Sequence, residues 1–202
     1  MTRIIIFAKA PQAGLAKTRL IPLLGAEGAA NLARRMLDET LTSARRAQLG
    51  PVELCVTPPQ TDPAWQGVAL PADVMITNQS EGNLGDRLAS AARRCQEAVL
   101  LVGTDCVEIS PTLLQEAATA LATVDALLYP TLDGGYAMLG LRRFHPSLFT
   151  NIAWSTASVA EETVNRILRL GWSLHQGAVL HDVDEPEDLR YYRACLAGDS
   201  SQ

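Results

Sequence analysis

Two continuous apolar runs constrain the fold of this chain more than any other feature of its sequence. Residues 3–8 (RIIIFA) and the start of 99–105 (VLLVGTD) lack the alternation of polar and apolar residues that a half-exposed strand shows, so we expect strands buried on both faces. From about residue 25 to residue 49, apolar residues recur at three- and four-residue spacings, which predicts a helix. Strands and helices that alternate along the whole chain predict a three-layer α/β domain with a mainly parallel sheet.

The ends of these elements are marked by glycine, proline and capping residues. Gly50 is expected to cap the end of the first helix, and Ser158 with Glu161 forms a capping-box pattern at the start of a later one. The short spacing around DGGY (133–136) indicates one antiparallel element. Since no repeat or linker interrupts the chain, we expect a single domain over residues 1–202. Further strands are predicted at 52–57, 73–77, 125–130, 136–141 and 178–184, and further helices at 84–98, 110–123, 158–171 and from 186 onward.

Composition excludes several classes of protein. The chain has 202 residues and a formal net charge of −5. A duplex nucleic-acid binder usually carries a basic stripe, and none is visible, so any polyanion bound here must be small and held by a few local cations. No apolar run reaches about 18 residues, which argues against a membrane span, and the N-terminus does not resemble a secretory signal.

The cysteines and histidines give no metal or disulfide pattern. Cys55, Cys95, Cys106 and Cys195 form no CxxC pair, and we interpret them as reduced thiols of a cytoplasmic protein. The three histidines are dispersed, which does not favour a zinc site.

Charged residues follow several of the predicted strands. In open α/β sheets, ligands bind beyond the carboxyl ends of the strands, so these residues are the first candidates for a site. Lys and Arg would neutralise the phosphates of a nucleotide on one side, and carboxylates would hold a divalent metal on the other. The candidates are Lys17 and Arg19 after the first strand, Thr104 and Asp105 after 99–103, Asp133, Gly134 and Gly135 after 125–130, and Asp182 and Asp184 in the last predicted strand.

The loop FAKAPQAGLAKTRL (7–20) is not a Walker A motif, although Lys17-Thr18 suggests one. That motif needs a glycine directly before the lysine and another five residues earlier, and Ala16 and Pro11 stand at those places. What remains is a turn at Gly14 whose backbone N–H groups can face phosphate oxygens, with a lysine and an arginine close behind it.

Each of these segments also has a purely structural interpretation, which the sequence leaves open. The loop could carry solvated cations only, Asp105 could cap a helix, and DGGY could be a plain turn. Asp184 or Glu185 could cap a helix that begins at Pro186. A functional site is favoured because the charged segments arrive at successive strand ends.

Six motifs in order give the chain a family resemblance. They are KAPxxGxxKTRL, GxLGDRL, GTDC, PxxDGGYxxxGL, WST and DVDxPEDL. Together they span residues 3 to 195 or so, and they resemble a bacterial GT-A-like transferase family, the radical-SAM/selenodomain-associated or "arsenosugar biosynthesis glycosyltransferase" type. More distantly, the chain is similar to the molybdenum-cofactor and phospholactate nucleotidyltransferases. Val107 and Glu185 stand where that family usually has proline and threonine, which leaves the acceptor preference open.

The resemblance implies a Rossmann-like GT-A core, the nucleotide-diphospho-sugar transferase fold, with a mixed sheet. It implies that residues 8–19 form the nucleotide-binding loop, that residues 82–87 lie near the base or sugar, and that DGGY shapes the acceptor side. Lys17 and Arg19 would contact the phosphates across a diphosphate-sized gap from Asp105. The implied nucleotide contacts are Ala8, Lys9, Ala10, Gly14, Lys17, Arg19, Gly85, Asp86, Thr104, Gly134 and Gly135, and the implied metal ligands are Asp105 with Asp182 or Asp184.

The resemblance implies a glycosyltransferase that moves a sugar from a nucleotide-diphospho-sugar to a small-molecule acceptor, assisted by Mg²⁺ or Mn²⁺. Lys17 and Arg19 would stabilise the leaving diphosphate, and Asp133 is the candidate base. A nucleotidyltransferase, which would join an NTP to a phosphorylated small molecule and release pyrophosphate, uses the same residues. A nucleotide-binding module without catalysis is the third hypothesis. Expected partners are small molecules, with no nucleic acid, and a homodimer is left open.

Overall fold

The computed structural model describes residues 1–192, and its centre is one seven-stranded sheet. The strands are β1 (Thr2–Lys9), β2 (Val52–Thr57), β3 (Met75–Asn78), β4 (Ala98–Val102), β5 (Ala126–Pro130), β6 (Tyr136–Leu141) and β7 (Leu174–Gln176). Their order across the sheet is β3-β2-β1-β4-β6-β5-β7. β1 therefore lies inside the sheet with β2 and β4 on either side, as its continuous apolar sequence predicts.

The sheet is mixed. β1 runs parallel to β2 and β4, β2 runs parallel to β3, and β5 runs parallel to β7. β6 alone is reversed, and it pairs antiparallel with both β4 and β5. The turn between β5 and β6 contains DGGY, so the predicted antiparallel element is confirmed.

In the described part of the chain, four helices cover the two faces of the sheet: α1 (Ile21–Ala47), α2 (Leu84–Arg93), α3 (Pro111–Leu121) and α4 (Val159–Arg169). Successive residues of a strand point to opposite faces, and β1 supplies both cores. Ile4 and Ile6 belong to the core beneath α1 and α3, whereas Ile5 belongs to the core beneath α2 and α4. The predicted three-layer α/β architecture is confirmed. Among residues 1–192, no helix combines the length and the apolar character that crossing a bilayer requires.

Two predicted helix caps are wrong. The first helix is capped by Gln48, whose φ of 54° is left-handed, and not by Gly50. Ser158 precedes α4, but its side chain makes no capping hydrogen bond. Its hydroxyl lies 2.9 Å from the hydroxyl of Thr156 instead. In both cases, the backbone conformation or a hydrogen bond in the connecting segment determines how the helix is capped.

The strand predicted at 178–184 is also absent, and the reason matters for function. This segment forms only two isolated bridges, Leu180 with Thr131 and Asp182 with Cys106. Thr131 follows β5 and Cys106 follows β4, so the segment crosses the carboxyl ends of the sheet and does not extend along one strand. The edge strand beside β5 is instead β7. We call residues 178–184 the crossing segment.

The close packing of β6 gives a stability prediction for Gly140. A Cβ atom at this position would lie 2.6 Å from Leu127 Cγ and 2.9 Å from Leu100 Cδ2, so Gly140→Ala must displace core side chains. We expect the free energy of unfolding to fall by about 1–3 kcal/mol, measured by urea denaturation.

Gly103→Ala is the matched control, since a Cβ atom there meets no other atom within 4 Å. Equal losses of stability in the two variants would contradict the packing argument.

Candidate active site

One cavity of about 640 Å³ lies at the carboxyl edge of the sheet. Residues predicted from three separate segments of the sequence meet in its lining. The predicted residues that line it are Lys9, Lys17, Arg19, Asp133, Gly135, Asp182 and Asp184.

The segment after β1 is folded so that Lys17 faces the sheet. Gly14 adopts a left-handed φ of 81° in the turn, and Lys9 Nζ donates to the Leu15 carbonyl at 3.0 Å. Lys17 itself has φ 44° and ψ 51° at the start of a 3₁₀ turn, Thr18–Leu20. Leu20 is fully buried, which anchors the turn to the core. The backbone therefore fixes where the Lys17 side chain begins.

Lys17 contacts Asp105 directly. Its Nζ lies 2.6 Å from Asp105 Oδ1 and donates to the Val183 carbonyl at 2.8 Å, and it lies 3.5 Å from Asp184 Oδ1. The expected diphosphate-sized gap between Lys17 and Asp105 is thus closed in this structure. The open volume lies beside the pair, where Arg19 lines the cavity.

Arg19 is the accessible cation of the segment. Its guanidinium pairs with Glu185 at 3.2 Å, and the two side chains are 68% and 50% exposed. An ion pair this exposed contributes about 1 kcal/mol or less. Arg19 is therefore free to change partner when an anion enters the cavity.

The crossing segment brings two carboxyl groups to Asp105. Burial is the largest cause that raises the pKa of Asp182, to about 7, and the charges of Asp105, Asp133 and Asp184 raise it further, while Lys17 opposes them. Burial and Asp105 also raise the pKa of Asp184, against Lys17. The site thus concentrates negative charge around one ammonium group.

Asp133 is held by its own turn. Its Oδ1 accepts hydrogen bonds from the Thr131 hydroxyl at 2.5 Å and from the Gly135 amide at 3.0 Å. These bonds orient the carboxylate in the cavity wall. The position of Asp133 is compatible with the predicted base, and DGGY is at the same time a well-formed turn.

Two of the predicted metal ligands contact a lysine in this structure. Within the described part of the chain, no group of three or more His, Cys, Asp or Glu side chains is placed to hold a metal ion. Carboxylate oxygens are the ligands that Mg²⁺ prefers, but Asp105 and Asp184 close on the Lys17 ammonium instead. The Lys17 ammonium therefore lies against the oxygens that a metal would use, and the metal site stays a prediction.

Several predicted nucleotide contacts lie in the scaffold of the site. The side chains of Ala8 and Ala10 are each 2% exposed, so only their backbone can face a ligand. Gly85 packs against the Phe149 carbonyl and the Trp154 indole.

Three further predicted contacts, Asp86, Gly134 and Thr104, also lie outside the lining of the large cavity. Asp86 forms a capping box with Asn83 at the start of α2. Gly134, with φ 87°, packs against the Ala157 backbone. Thr104 is partly buried and is not part of the lining of the large cavity.

The structural interpretation of residues 184–186 is partly correct. Glu185 and Asp188 form a capping box around the 3₁₀ turn Pro186–Asp188, so Glu185 is a cap as well as the partner of Arg19. Asp184 has another role, since its carboxylate faces Lys17.

Cys106 is a packing residue. Its thiol is buried and donates to Glu108 Oε2 at 3.1 Å. Burial, followed by the hydrogen bond to Glu108 and by the negative charge of Glu108, raises the pKa of the thiol well above its ordinary range, which keeps it protonated and unreactive. Cys55 and Cys95 are free thiols, and Cys195 lies outside the described residues.

Sequence reasoning missed one wall of the cavity, formed by residues 154–157. Arg166 holds the preceding loop, because its guanidinium donates to the carbonyls of Ser147, Thr150 and Asn151. The WST motif had already identified this segment as part of the family pattern, but its local sequence does not show that it lines the cavity. The side chains of Leu15 and Leu84, 53% and 45% exposed, also line the opening.

The sheet order and the position of the cavity define the nucleotide-diphospho-sugar transferase fold. The chain belongs to the family DUF2064, described as "Uncharacterized protein conserved in bacteria", whose model matches residues 40–156. The chain is also similar to a candidate nucleotide-diphospho-sugar transferase from Desulfovibrio desulfuricans G20. The two share 30% identity over 96% of this chain and 87% of the other, with a TM-score of 0.87.

More distant solved structures share the fold. The inositol-1-phosphate CTP transferase from T. maritima has a TM-score of 0.64 at 13% identity, over 97% of this chain and 95% of the other. Rv0371c from Mycobacterium tuberculosis H37Rv, in a complex with manganese, has a TM-score of 0.57 at 16% identity, over 94% and 96%. No protein of curated function matches the chain in sequence.

The raised pKa of Asp182 gives a pH prediction. In the folded protein this pKa is about 7, against an ordinary value of 3.8, so the folded state holds a proton that the unfolded state releases. The associated stability is complete below the ordinary pKa and is lost as the pH rises through about 7. Asp182→Asn removes the buried charge, and we expect it to stabilise the protein at about pH 8 more than at about pH 5.

Urea denaturation of both proteins at the two pH values measures this difference. Glu161→Gln, which removes an exposed carboxylate on α4, is the control and should change both values alike. A stability difference between Asp182→Asn and the unmodified protein that does not vary with pH would show the pKa assignment to be wrong.

Proposed function

We propose that the protein is a glycosyltransferase that moves a sugar from a nucleotide-diphospho-sugar to a small-molecule acceptor. One observation supports this most strongly: cations from the segment after β1 and carboxylates from the β5–β6 turn and from the crossing segment line the same 640 Å³ cavity. Such a volume lies within the usual range for small-molecule sites. The relative from Desulfovibrio desulfuricans G20, described as a candidate nucleotide-diphospho-sugar transferase, supports the same class.

In this proposal, Arg19 binds the departing diphosphate. Its guanidinium is a fork of donors that matches phosphate oxygens in pairs, and it is the more exposed of the two cations in the 3₁₀ turn region. Lys9 lines the same cavity. Positive groups fixed where negative charge develops lower the barrier to departure of the diphosphate.

The acceptor side of the reaction is assigned to Asp133 and its turn. Thr131 and Gly135 fix the carboxylate, and a fixed carboxylate within reach of an acceptor hydroxyl can remove its proton. A divalent metal on the diphosphate remains a prediction. The cytoplasmic location, the single domain and the small-molecule partners are part of the same proposal.

Nucleotidyl transfer is the alternative. The same cations would hold the triphosphate of an NTP, and a phosphorylated small molecule would displace pyrophosphate. The fold neighbours that include the inositol-1-phosphate CTP transferase make this class a specific second candidate.

A coupled assay separates the two reactions. We expect release of a nucleoside diphosphate from one member of a panel of nucleotide-diphospho-sugars, with the donor first found by thermal shift because a bound ligand raises the melting temperature. Pyrophosphate release from an NTP together with a sugar phosphate would instead establish nucleotidyl transfer.

Arg19→Met should lower kcat/KM for the donor by about a hundredfold, since it removes a donor to the developing charge. Arg45→Met is the matched control, because Arg45 makes only an exposed pair with Asp73 on the surface, and the rate should stay within about twofold of the unmodified protein.

Asp105→Ala tests the hypothesis of a nucleotide-binding module without catalysis. If the variant folds and binds nucleotide but no longer turns over its substrate, that hypothesis is excluded. If no nucleotide-diphospho-sugar or NTP is turned over by the unmodified protein, neither transferase proposal stands.

A further inference from the structure

The position of the Lys17 ammonium is the least expected feature of the cavity. Its side chain is only 4% exposed, although the Asp105 and Asp184 side chains that it faces are 51% and 48% exposed. Three oxygen atoms surround Nζ: Asp105 Oδ1 at 2.6 Å, the Val183 carbonyl at 2.8 Å and Asp184 Oδ1 at 3.5 Å. The two carboxylates are thus about half-exposed, while the ammonium that they contact is almost fully buried.

The chain builds this position from two sides. On one side, the left-handed backbone of Lys17 and the buried Leu20 fix the 3₁₀ turn. On the other, the Val183 amide donates to the Asp105 carbonyl at 2.8 Å, which fixes the crossing segment to the end of β4. Lys17 is therefore held by a main-chain framework, unlike a surface lysine that pairs by chance.

A divalent ion at the predicted site would need the oxygens that Lys17 already contacts. Hard cations bind carboxylate and backbone carbonyl oxygens, and Lys17 uses one of each. A metal bound to these atoms would also lie against the positive charge of the ammonium. Lys17 and a metal therefore compete for Asp105 and Asp184.

We propose that Lys17 is the resident counter-ion of the carboxylate cluster formed by Asp105, Asp182 and Asp184, and that it keeps divalent metal ions out of this cluster in the free protein. The cluster accepts a metal only when Lys17 leaves it. If the proposed function holds, the diphosphate of the donor is the anion that draws Lys17 away from the carboxylates. The exclusion itself does not depend on the reaction.

Titration of the protein with Mn²⁺ in the absence of nucleotide tests the exclusion, with free Mn²⁺ measured by electron paramagnetic resonance. We expect no saturable site in the unmodified protein at micromolar to submillimolar Mn²⁺. Lys17→Met should gain one saturable site, with an affinity for Mn²⁺ at least about tenfold higher than that of the unmodified protein, because a competing charge has been removed. Equal Mn²⁺ affinity in the two proteins would overturn the proposal.

Lys9→Met is the matched control. The chain contains only two lysines, and both line the cavity, but Lys9 Nζ donates to the Leu15 carbonyl and not to the cluster. Its replacement removes the same charge and should leave the Mn²⁺ titration unchanged. A gain of Mn²⁺ affinity equal to that of Lys17→Met would show that only the net charge of the cavity matters.

Two measurements keep the test decisive if Lys17→Met folds poorly. The double variant Lys17→Met/Asp105→Asn removes one cation and one carboxylate together, and we expect it to fold and to bind no Mn²⁺. In the unmodified protein, reductive methylation should modify Lys9 and spare Lys17, with or without Mn²⁺. Methylation of Lys17 on addition of Mn²⁺ alone would show that the metal displaces it and would refute the exclusion.

Discussion

The candidate site depends on one constraint, the path of residues 178–184 across the carboxyl ends of the sheet. The Leu180 amide donates to the Pro130 carbonyl and the Val183 amide to the Asp105 carbonyl, both at 2.8 Å. These bonds satisfy backbone groups that the ends of β5 and β4 would otherwise leave unpaired. They also carry Asp182 and Asp184 to Asp105, from the far end of the sequence. Without this path, the carboxylates would belong to separate strand ends.

The crossing segment creates an electrostatic problem that the segment after β1 solves. Carboxyl groups brought together in a partly buried place repel one another, and one of them, Asp182, is held near its neutral form. A cation at the centre lowers this repulsion, and Lys17 supplies it from the opposite end of the chain. The two segments therefore stabilise each other. The Lys17 ammonium reduces the repulsion among the carboxylates, and its contacts with them offset the strain of the left-handed backbone at Lys17.

The sequence predicted the strands inside the sheet and the charged residues at their ends, because a continuous apolar run and an isolated charge are local signals. It failed where a residue's partner lies far away in the chain. AVLHDVD (178–184) has the composition of a strand, but its hydrogen bonds go to Pro130 and Asp105. Trp154 gives no local sign that its indole packs on Gly85. The sequence predicted that Lys17 and Asp105 would face each other. It did not predict their direct contact, because that distance depends on side-chain packing, which the spacing of apolar residues does not describe.

The two cations of the 3₁₀ turn region have opposite properties, and the difference follows from their partners. Lys17 is enclosed between the 3₁₀ turn and the crossing segment, so we expect only an anion of high charge to displace it. Arg19 pairs with Glu185 at the rim of the cavity, where the two side chains are 68% and 50% exposed, and solvent screens such a pair. Glu185 stands where the resembled family usually has threonine. It holds Arg19 beside the cavity in an exposed ion pair, and we expect a phosphate, with its higher charge and paired oxygens, to replace it.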